Sequence, residues 1–222
     1  MKRTPFNAWI AKVLNDDGLA GMGHAQDPES ANLGLGWLYY GIARVVKPTT
    51  AVVIGSFRGF VPLILGRALA DNRAGKVVFI DPSLVDAFWR DPGKVRAHFA
   101  KFGIGNIEHH CLTTQEFVKT PAYANLGKVD FVFIDGYHSY EQARFDFKAF
   151  EPLLSPRGMT LFHDSIRVRP SRIYGPGKVY EHRVRDFMLE LRKNPDLQVF
   201  DLPFGDGLTL VRKAASREAL FN

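Results

Sequence analysis

Short runs rich in Val, Ile and Phe alternate with longer amphipathic runs through the middle of this 222-residue chain. This alternation predicts a parallel β-sheet with helices on both faces, because a parallel strand pair needs a long crossover that a helix usually supplies. The predicted strands span residues 51–54, 77–81, 107–112, 129–135 and 159–163. The predicted helices span residues 60–72, 85–102, 115–119 and 139–154.

The C-terminal part of the chain predicts a different arrangement. A helix predicted over 179–193 leads to two further strand-like runs at 197–202 and 208–212. The five residues 203–207 between these runs are too few for a parallel crossover, so the two strands must pair antiparallel. The predicted fold class is therefore α/β, a doubly wound, Rossmann-like sheet of five parallel strands followed by an antiparallel hairpin.

The chain length favours a single domain over residues 1–222. A chain of this size buries enough surface for a core that needs no disulfide or metal. Residues 1–50 precede the first strand and are too few to form a separate core, so we expect them to form an N-terminal helical cap. Helices predicted at 8–14 and 33–46 make up this cap. Residues 51–213 form the predicted Rossmann-like core.

The composition favours a cytoplasmic protein. The single cysteine, Cys111, excludes an intramolecular disulfide and fits a reducing compartment, and its apolar surroundings predict a buried, unreactive thiol. No apolar run reaches the roughly 18–20 residues that span a bilayer, so no membrane partner is expected. The apolar stretch at 8–14 is interrupted by Lys12, which predicts an amphipathic helix and not a signal peptide.

Two features at predicted strand ends indicate a nucleotide-like ligand. After the first strand, residues 55–59 read Gly-Ser-Phe-Arg-Gly, and glycines here let the backbone approach a ligand at a helix N-terminus. The second strand ends about twenty residues later in Asp81, a position from which a carboxylate can accept both hydroxyl protons of a ribose. Each feature also has a purely structural explanation, a tight turn for the glycines and a helix cap for Asp81.

The fourth and fifth predicted strands end in Asp135 and Asp164. If these strands are neighbours, about 4.8 Å apart, their carboxylates converge on one site, where a cation or proton usually separates them. His138 lies three residues beyond Asp135 and can reach the same space. His163 precedes Asp164, so strand alternation predicts that its side chain points to the opposite face and has a structural role.

Residues 131–140 read Phe-Val-Phe-Ile-Asp-Gly-Tyr-His-Ser-Tyr, and residues 153–158 and 162–164 read Leu-Leu-Ser-Pro-Arg-Gly and Phe-His-Asp. The first loop and second strand end contribute Ile-Gly-Ser-Phe-Arg-Gly at 54–59 and Ile-Asp-Pro at 80–82. Together these segments resemble a methyltransferase family that includes macrolide-sugar O-methyltransferases and cephalosporin-hydroxylase-like proteins.

This resemblance covers roughly residues 48–165 and implies a class I methyltransferase that uses S-adenosylmethionine. It implies O-methylation of a small-molecule acceptor. In this reading the loop after the first strand holds the methionine moiety, Asp81 binds the ribose, and Thr113 lies near the adenine. The residues assigned to cofactor binding are Gly55, Ser56, Phe57, Gly59, Asp81, Thr113 and Asp135.

Methyl transfer from a sulfonium is a direct displacement and needs no nucleophile from the enzyme. Positioning alone supplies up to ~7–11 kcal/mol, and a general base typically adds about 10²–10⁴-fold. We therefore predict His138 as the general base. Asp135 and Asp164 are predicted to orient the acceptor or to hold Mg²⁺.

Two positions depart from the family pattern. The family usually has an acidic residue two positions before the first loop glycine, where this chain has Val53. Related metal-dependent O-methyltransferases follow the last strand-end Asp with a carboxylate or an Asn, where this chain has Ser165. The first departure affects the methionine end of the cofactor, and the second removes a third oxygen ligand for a metal.

The segment after the fifth strand is basic. Between residues 166 and 185 it carries six basic side chains against a single acid, Glu181. Pro170 and the Gly-Pro-Gly at 175–177 predict that residues 166–178 form a loop. This loop is predicted to be a lid that selects an acceptor bearing a carboxylate or phosphate, because Arg binds such groups bidentately. A solvated surface loop without a ligand role remains the alternative.

Three other functions stay open at this point. The departure at Val53 leaves room for a non-catalytic protein that binds S-adenosylmethionine or a nucleoside on the same fold. The net charge of +6 leaves room for an RNA methyltransferase, although no run of basic residues interleaved with aromatics favours nucleic acid as a partner. A nicotinamide-dependent oxidoreductase is disfavoured by the loop glycines and the hairpin. The sequence does not decide whether the chain forms a homo-oligomer.

Overall fold

The computed structural model describes residues 5–175 and 177–214. Residues 1–4 of the predicted N-terminal cap and Pro176 of the predicted loop over 166–178 fall outside the described residues. One mixed sheet forms the centre of the fold. Its strands are β1 (Thr50–Gly55), β2 (Lys76–Ile80), β3 (Ile107–His110), β4 (Val129–Asp135), β5 (Leu154–His163), β8 (Leu197–Leu202) and β9 (Leu208–Lys213). A separate two-stranded hairpin consists of β6 (Arg169–Ser171) and β7 (Tyr180–His182).

The strand order in the main sheet is β3-β2-β1-β4-β5-β9-β8. Strands β1 to β5 pair parallel, and β9 pairs antiparallel with both β5 and β8. The predicted five parallel strands followed by an antiparallel hairpin are therefore confirmed. The strand order reverses between β1 and β4, which places a ligand crevice at the carboxyl ends of these two strands.

The helices cover both faces of the sheet. They are α1 (Phe6–Leu14), α2 (Gly36–Val46), α3 (Phe60–Asn72), α4 (Pro92–Lys101), α5 (Thr114–Phe117), α6 (Pro121–Ala124), α7 (Tyr140–Phe150) and α8 (Val184–Leu191). Among the described residues, none of these helices has the length and apolarity that a membrane crossing requires.

Side-chain alternation along the central strands divides the core in two. Val53 and Phe133 belong to the core that α1, α2 and α3 cover. Val52 and Val132, their neighbours along the same strands, belong to the core that α7 and α8 cover. A strand buried on both faces reads as an unbroken apolar run, which is why β1 and β4 were evident in the sequence.

Several predicted elements differ from the structure. The single helix predicted over 85–102 is interrupted, because Asp91 accepts hydrogen bonds from Gly93 N and Lys94 N and so starts α4 at Pro92, a residue suited to a first helical position. Strand β3 ends before Cys111, whose side chain is exposed, so the prediction of a buried thiol was wrong.

The basic segment is more ordered than predicted. Residues 169–171 and 180–182 pair as an antiparallel hairpin, with Arg169 opposite His182. The predicted loop over 166–178 therefore includes strand β6, and the predicted helix over 179–193 begins only at Val184, after β7.

Candidate functional site

A cavity of about 860 Å³ opens at the carboxyl ends of the central strands. This volume is in the range of ordinary small-molecule sites. The lining includes all the predicted site residues except Gly59, namely Gly55, Ser56, Phe57, Asp81, Thr113, Asp135, His138 and Asp164. The structure thus brings the predicted cofactor and catalytic residues to one crevice, at the switch in strand order.

The loop after β1 has a backbone conformation that residues with a side chain rarely adopt. Gly55 has φ of 75°, and a Cβ at this position would overlap the carbonyl oxygen of Asp135 on the neighbouring strand. Ser56 follows at φ 126°, and Gly59 at 83° precedes α3. Strained backbone of this kind clusters at ligand sites, where it lets main-chain groups face a ligand closely.

Asp81 lies just beyond β2 and is 9% exposed. Its Oδ1 accepts a hydrogen bond of 2.7 Å from Ser83 N, which fixes the carboxylate at the cavity wall. Burial raises the pKa of Asp81 to about 6, so the carboxylate is mainly ionised at pH 7 and can accept hydrogen bonds from a ligand.

Thr113 occupies the cavity wall beside β3, but its hydroxyl already has partners. The hydroxyl accepts a bond of 3.2 Å from Glu116 N and donates one of 2.8 Å to Glu116 Oε2, a capping box that starts α5. Because this hydroxyl is already engaged, Thr113 would contact a ligand mainly by packing against it and not by a hydrogen bond from the side chain.

Asp135, His138 and Asp164 meet as the strand order predicted. His138 Nε2 lies 3.5 Å from Asp135 Oδ1 and 3.9 Å from Asp164 Oδ2. Burial lowers the pKa of His138 to about 4, which outweighs the attraction of the two carboxylates. The imidazole is therefore neutral at pH 7, the form that can accept a proton or bind a metal.

The predicted orientation of His163 was wrong. Its Nδ1 lies 3.0 Å from Asp135 Oδ1 and 3.2 Å from Asp164 Oδ1, inside the same site. Asp164 has a left-handed backbone with φ of 51°, so strand alternation ends there and both side chains reach one space. Burial alone would lower the pKa of His163, but the Asp135 and Asp164 charges raise it to about 9.

Two further histidines lie in this site and were missed in the sequence. His24 comes from the loop between α1 and α2, and its Nε2 lies 3.8 Å from Asp135 Oδ2. His182 ends β7, and its Nδ1 lies 3.0 Å from Asp164 Oδ2. Both side chains are buried, at 2% and 3% exposure. The basic segment could have drawn attention to His182, whereas nothing local distinguishes His24.

Asp146 is a third missed residue. It lies on α7, lines the cavity and is 1% exposed. Gln142 Nε2 donates to its Oδ1 at 2.7 Å, while its Oδ2 has no hydrogen-bond partner among the described residues. Burial raises the pKa of Asp146 to about 7. Asp146 Oδ2 can thus accept a hydrogen bond from a ligand in its ionised form or donate one in its protonated form, on the side of the cavity that Thr113 and Gln142 line.

The arginines of the basic segment differ in what they can bind. Arg169 is already engaged, with one guanidinium nitrogen 2.7 Å from Asp164 Oδ2 and another 2.6 Å from Asp206 Oδ2. Arg167 also pairs with Asp206, at 3.4 Å. Arg172 lines the cavity and has no ion pair among the described residues. Of these three, Arg172 is the one free to bind an anion.

Comparisons with known proteins agree with this geometry. A family model of a methyltransferase domain matches residues 52–165, from β1 to the residue after the last strand-end Asp. Caffeoyl-CoA O-methyltransferase 5 of Nicotiana tabacum is 33% identical over 191 residues, which cover 78% of this chain and 72% of that protein. Caffeoyl-CoA O-methyltransferase 2 of Petunia hybrida is 27% identical over 191 residues, covering 78% and 71%.

Solved structures agree in fold. The O-methyltransferase from Bacillus cereus in complex with SAH (S-adenosylhomocysteine) is 15% identical with a TM-score of 0.66, over 95% of this chain and 92% of that one. The O-methyltransferase TomG from Streptomyces achromogenes, solved with S-adenosylmethionine, is 19% identical with a TM-score of 0.60, over 96% and 92%. From the family match, the sequence relatives and the fold, the chain belongs to the class I S-adenosylmethionine-dependent O-methyltransferases.

Proposed function

We propose that this chain methylates an oxygen of a small-molecule acceptor, and that the acceptor binds at Asp135, His138 and Asp164. The observation that carries the proposal is one continuous cavity that is lined both by Asp81 and by these three residues. A cofactor held at Asp81 therefore shares its cavity with groups that can receive a proton.

The cofactor would lie along the carboxyl edge of the sheet. In our proposal Asp81 accepts the ribose hydroxyls, the loop from Gly55 through Ser56 and Phe57 to Gly59 holds the methionine moiety, and Thr113 lines the adenine end. Asp135 would lie between the ribose of the cofactor and the acceptor and line the part of the cavity that both share. Val53, in place of the family's acidic residue, is fully buried within the sheet core.

The chemistry needs position and removal of one proton. The acceptor oxygen attacks the methyl carbon as the carbon–sulfur bond breaks, and the hydroxyl proton leaves to a base. His138 Nε2 is placed to take that proton, because it is neutral and faces both carboxylates. The carboxylates of Asp135 and Asp164 would stabilise the imidazolium that forms.

A divalent cation at Asp135 and Asp164 is a second way to acidify the hydroxyl. A bound cation would supply Lewis acidity to the acceptor oxygen. Mg²⁺ prefers a shell of oxygens. At this site, however, each carboxylate has imidazole nitrogens within 3.9 Å, so the donor set fits Mg²⁺ poorly.

The test of the proposed function is isothermal calorimetry with S-adenosylmethionine, NAD and a short RNA, followed by an acceptor screen with labelled cofactor. We expect binding of S-adenosylmethionine and labelled product from hydroxylated small molecules. Binding without turnover for any acceptor would favour the non-catalytic alternative, and labelled RNA would favour the RNA methyltransferase.

The lone cysteine and the composition support a cytoplasmic location, and gel filtration decides whether the chain is a homo-oligomer.

Asp81 provides the first prediction. A hydrogen bond to a charged group contributes about 1.5–3 kcal/mol, so Asp81→Ala should weaken S-adenosylmethionine binding roughly ten- to a hundredfold. Calorimetry measures this directly. Glu108→Gln is the control, because this exposed carboxylate on β3 pairs with Lys76 outside the cavity. Equal affinity in Asp81→Ala and wild type would remove Asp81 from the cofactor site.

Arg172 provides the second prediction, which concerns an anionic acceptor. If the acceptor carries a carboxylate or phosphate, Arg172→Ala should raise its KM about tenfold or more and leave kcat unchanged, because the lost contact lies away from the reacting oxygen. The control is Arg185→Ala, on α8, where the guanidinium pairs with Asp186. Unchanged KM for every acidic acceptor, or equal use of neutral acceptors, would contradict a lid that selects anions.

A further inference from the structure

Four imidazoles converge on two carboxylates at the acceptor end of the cavity. We name this group the histidine cluster; its members are His24, Asp135, His138, His163, Asp164 and His182. The rings are close together, with centroids 4.3 Å apart for His138 and His182 and 4.6 Å for His24 and His163. Proton removal by one base does not require four buried histidines, so the cluster needs a further explanation.

The nitrogens of His182 indicate what that explanation is. The side chain is 3% exposed and faces the cavity, yet neither ring nitrogen has a hydrogen bond among the described residues. Nδ1 lies 3.0 Å from Asp164 Oδ2, an ion-pair distance, whereas Nε2 has no polar partner among the described residues. Buried polar atoms in native proteins are normally satisfied, and an ion is one of the partners that satisfies them.

His138, Asp164 and His182 form a set whose donor atoms all lie within 4.8 Å of one another. We infer that these three residues bind a first-row transition metal ion such as Zn²⁺ or Co²⁺. Imidazole nitrogen with one carboxylate suits these ions, whereas Mg²⁺ selects oxygen. Three protein ligands leave coordination positions open, as a catalytic site requires.

The residue after Asp164 supports this ligand set. Ser165 stands where related enzymes carry an oxygen ligand, but its hydroxyl is buried 2.7 Å from Thr209 Oγ1. It is therefore committed to β9 and not to the cluster. His182, from the other side of the cavity, supplies a third donor in place of this oxygen. Because this donor is a nitrogen and not an oxygen, the site should prefer a transition metal ion to Mg²⁺.

Two neighbours would tune this site. His163 Nδ1 lies close to one oxygen of Asp135 and one oxygen of Asp164. From there it can orient both carboxylates without itself binding the metal. Arg169 holds Asp164 Oδ2 at 2.7 Å and would release it to the metal while keeping its second partner, Asp206, at 2.6 Å.

This inference rests on the proposed function and refines it, because a ligated His138 binds the metal and does not itself take the acceptor's proton. In that case the acceptor hydroxyl would be acidified at the open coordination position. His182→Ala distinguishes the two roles: a direct base at His138 does not need His182, whereas a metal at this set does.

The experiment measures metal binding, independently of turnover. Chelator-treated protein is titrated by calorimetry with Zn²⁺, Co²⁺ and Mg²⁺ in turn, and the Co²⁺ complex is followed by its visible absorption. We expect one Zn²⁺ or Co²⁺ per chain and weaker binding of Mg²⁺. In His182→Ala the affinity for Zn²⁺ or Co²⁺ should fall by at least about 10–100-fold, which is the loss that follows when a residue supporting a metal ligand is removed. The matched control is His110→Ala, on β3 beside Glu108.

Three results would overturn the inference: no stoichiometric Zn²⁺ or Co²⁺, tighter binding of Mg²⁺, or equal metal affinity in wild type and His182→Ala. His182→Gln, checked for folding by circular dichroism, serves if the alanine variant does not fold. S-adenosylmethionine binding is measured on the same samples. Cofactor binding without metal binding would reject this inference alone, whereas metal binding without cofactor binding would reject the proposed function.

Discussion

His138→Ala is expected to lower kcat by about 10²–10⁴-fold, the range that general acid–base groups contribute. The same substitution should leave S-adenosylmethionine affinity within about threefold, which is less than 1 kcal/mol. The reason is that His138 Nε2 lies beside the carboxylates of Asp135 and Asp164, whereas we propose that the ribose of the cofactor binds at Asp81. The loss should therefore fall on the chemical step, whether His138 takes the proton itself or binds a metal.

The measurement is single-turnover transfer of a labelled methyl group, with cofactor affinity determined by calorimetry on the same preparation. His110→Ala is a matched control, since the His110 ring packs against Phe117 outside the cavity, with the two ring centroids 4.8 Å apart. A turnover number within about threefold of wild type in His138→Ala would remove His138 from the catalytic group. A parallel collapse of cofactor affinity would show that its role is in binding.

Gly55→Ala is expected to lower the free energy of unfolding by about 3 kcal/mol or more. A left-handed backbone costs a non-glycine residue about 1–2 kcal/mol, and forced overlap in a packed region typically adds about 1–3 kcal/mol. The overlapping atom is the backbone carbonyl of Asp135, which β4 holds in the sheet and which cannot move aside. In a chain of this size, Tm should fall by roughly 6–12 °C.

Gly103→Ala separates the two costs. Gly103 has φ of 72°, close to the 75° of Gly55, but a Cβ there has no neighbour within 4 Å. Only the left-handed cost of about 1–2 kcal/mol applies there, so its Tm should fall by about 2–8 °C, less than the Tm of Gly55→Ala. Thermal unfolding of both variants gives the comparison, and calorimetry should show weaker cofactor binding only in Gly55→Ala. Equal Tm losses in the two variants would mean that the approach of Gly55 to β4 is not tight.

The sheet could be predicted from the sequence because its signals are local. Strand β4 was evident at its observed bounds, since a central parallel strand is apolar on both faces. The helix predicted to start at residue 139 begins at Tyr140, and Ser139 is its N-cap, where it accepts a hydrogen bond from Gln142 N. The antiparallel pairing of β8 and β9 followed from the length of their connection alone.

The rest of the site depends on contacts between distant parts of the chain. His24 reaches Asp135 from a loop far away in sequence, and no short pattern records that approach. His182 enters the site only because residues 169–171 and 180–182 pair, and a basic segment with Gly and Pro does not predict strands. His163 was assigned to the wrong side because the left-handed conformation of Asp164 is invisible in the sequence.

The position of β9 between β5 and β8 bears on the order in which a growing chain can assemble its site. Strand β5, which ends beside Asp164, is paired on one side with β4 and on the other with β9. During synthesis the N-terminal part of a domain emerges first. A nascent chain that has emerged only through β5 thus already has the loop at Gly55 and the carboxylate of Asp81. The strand end that positions Asp164 stays unpaired on one side until β9 has been made.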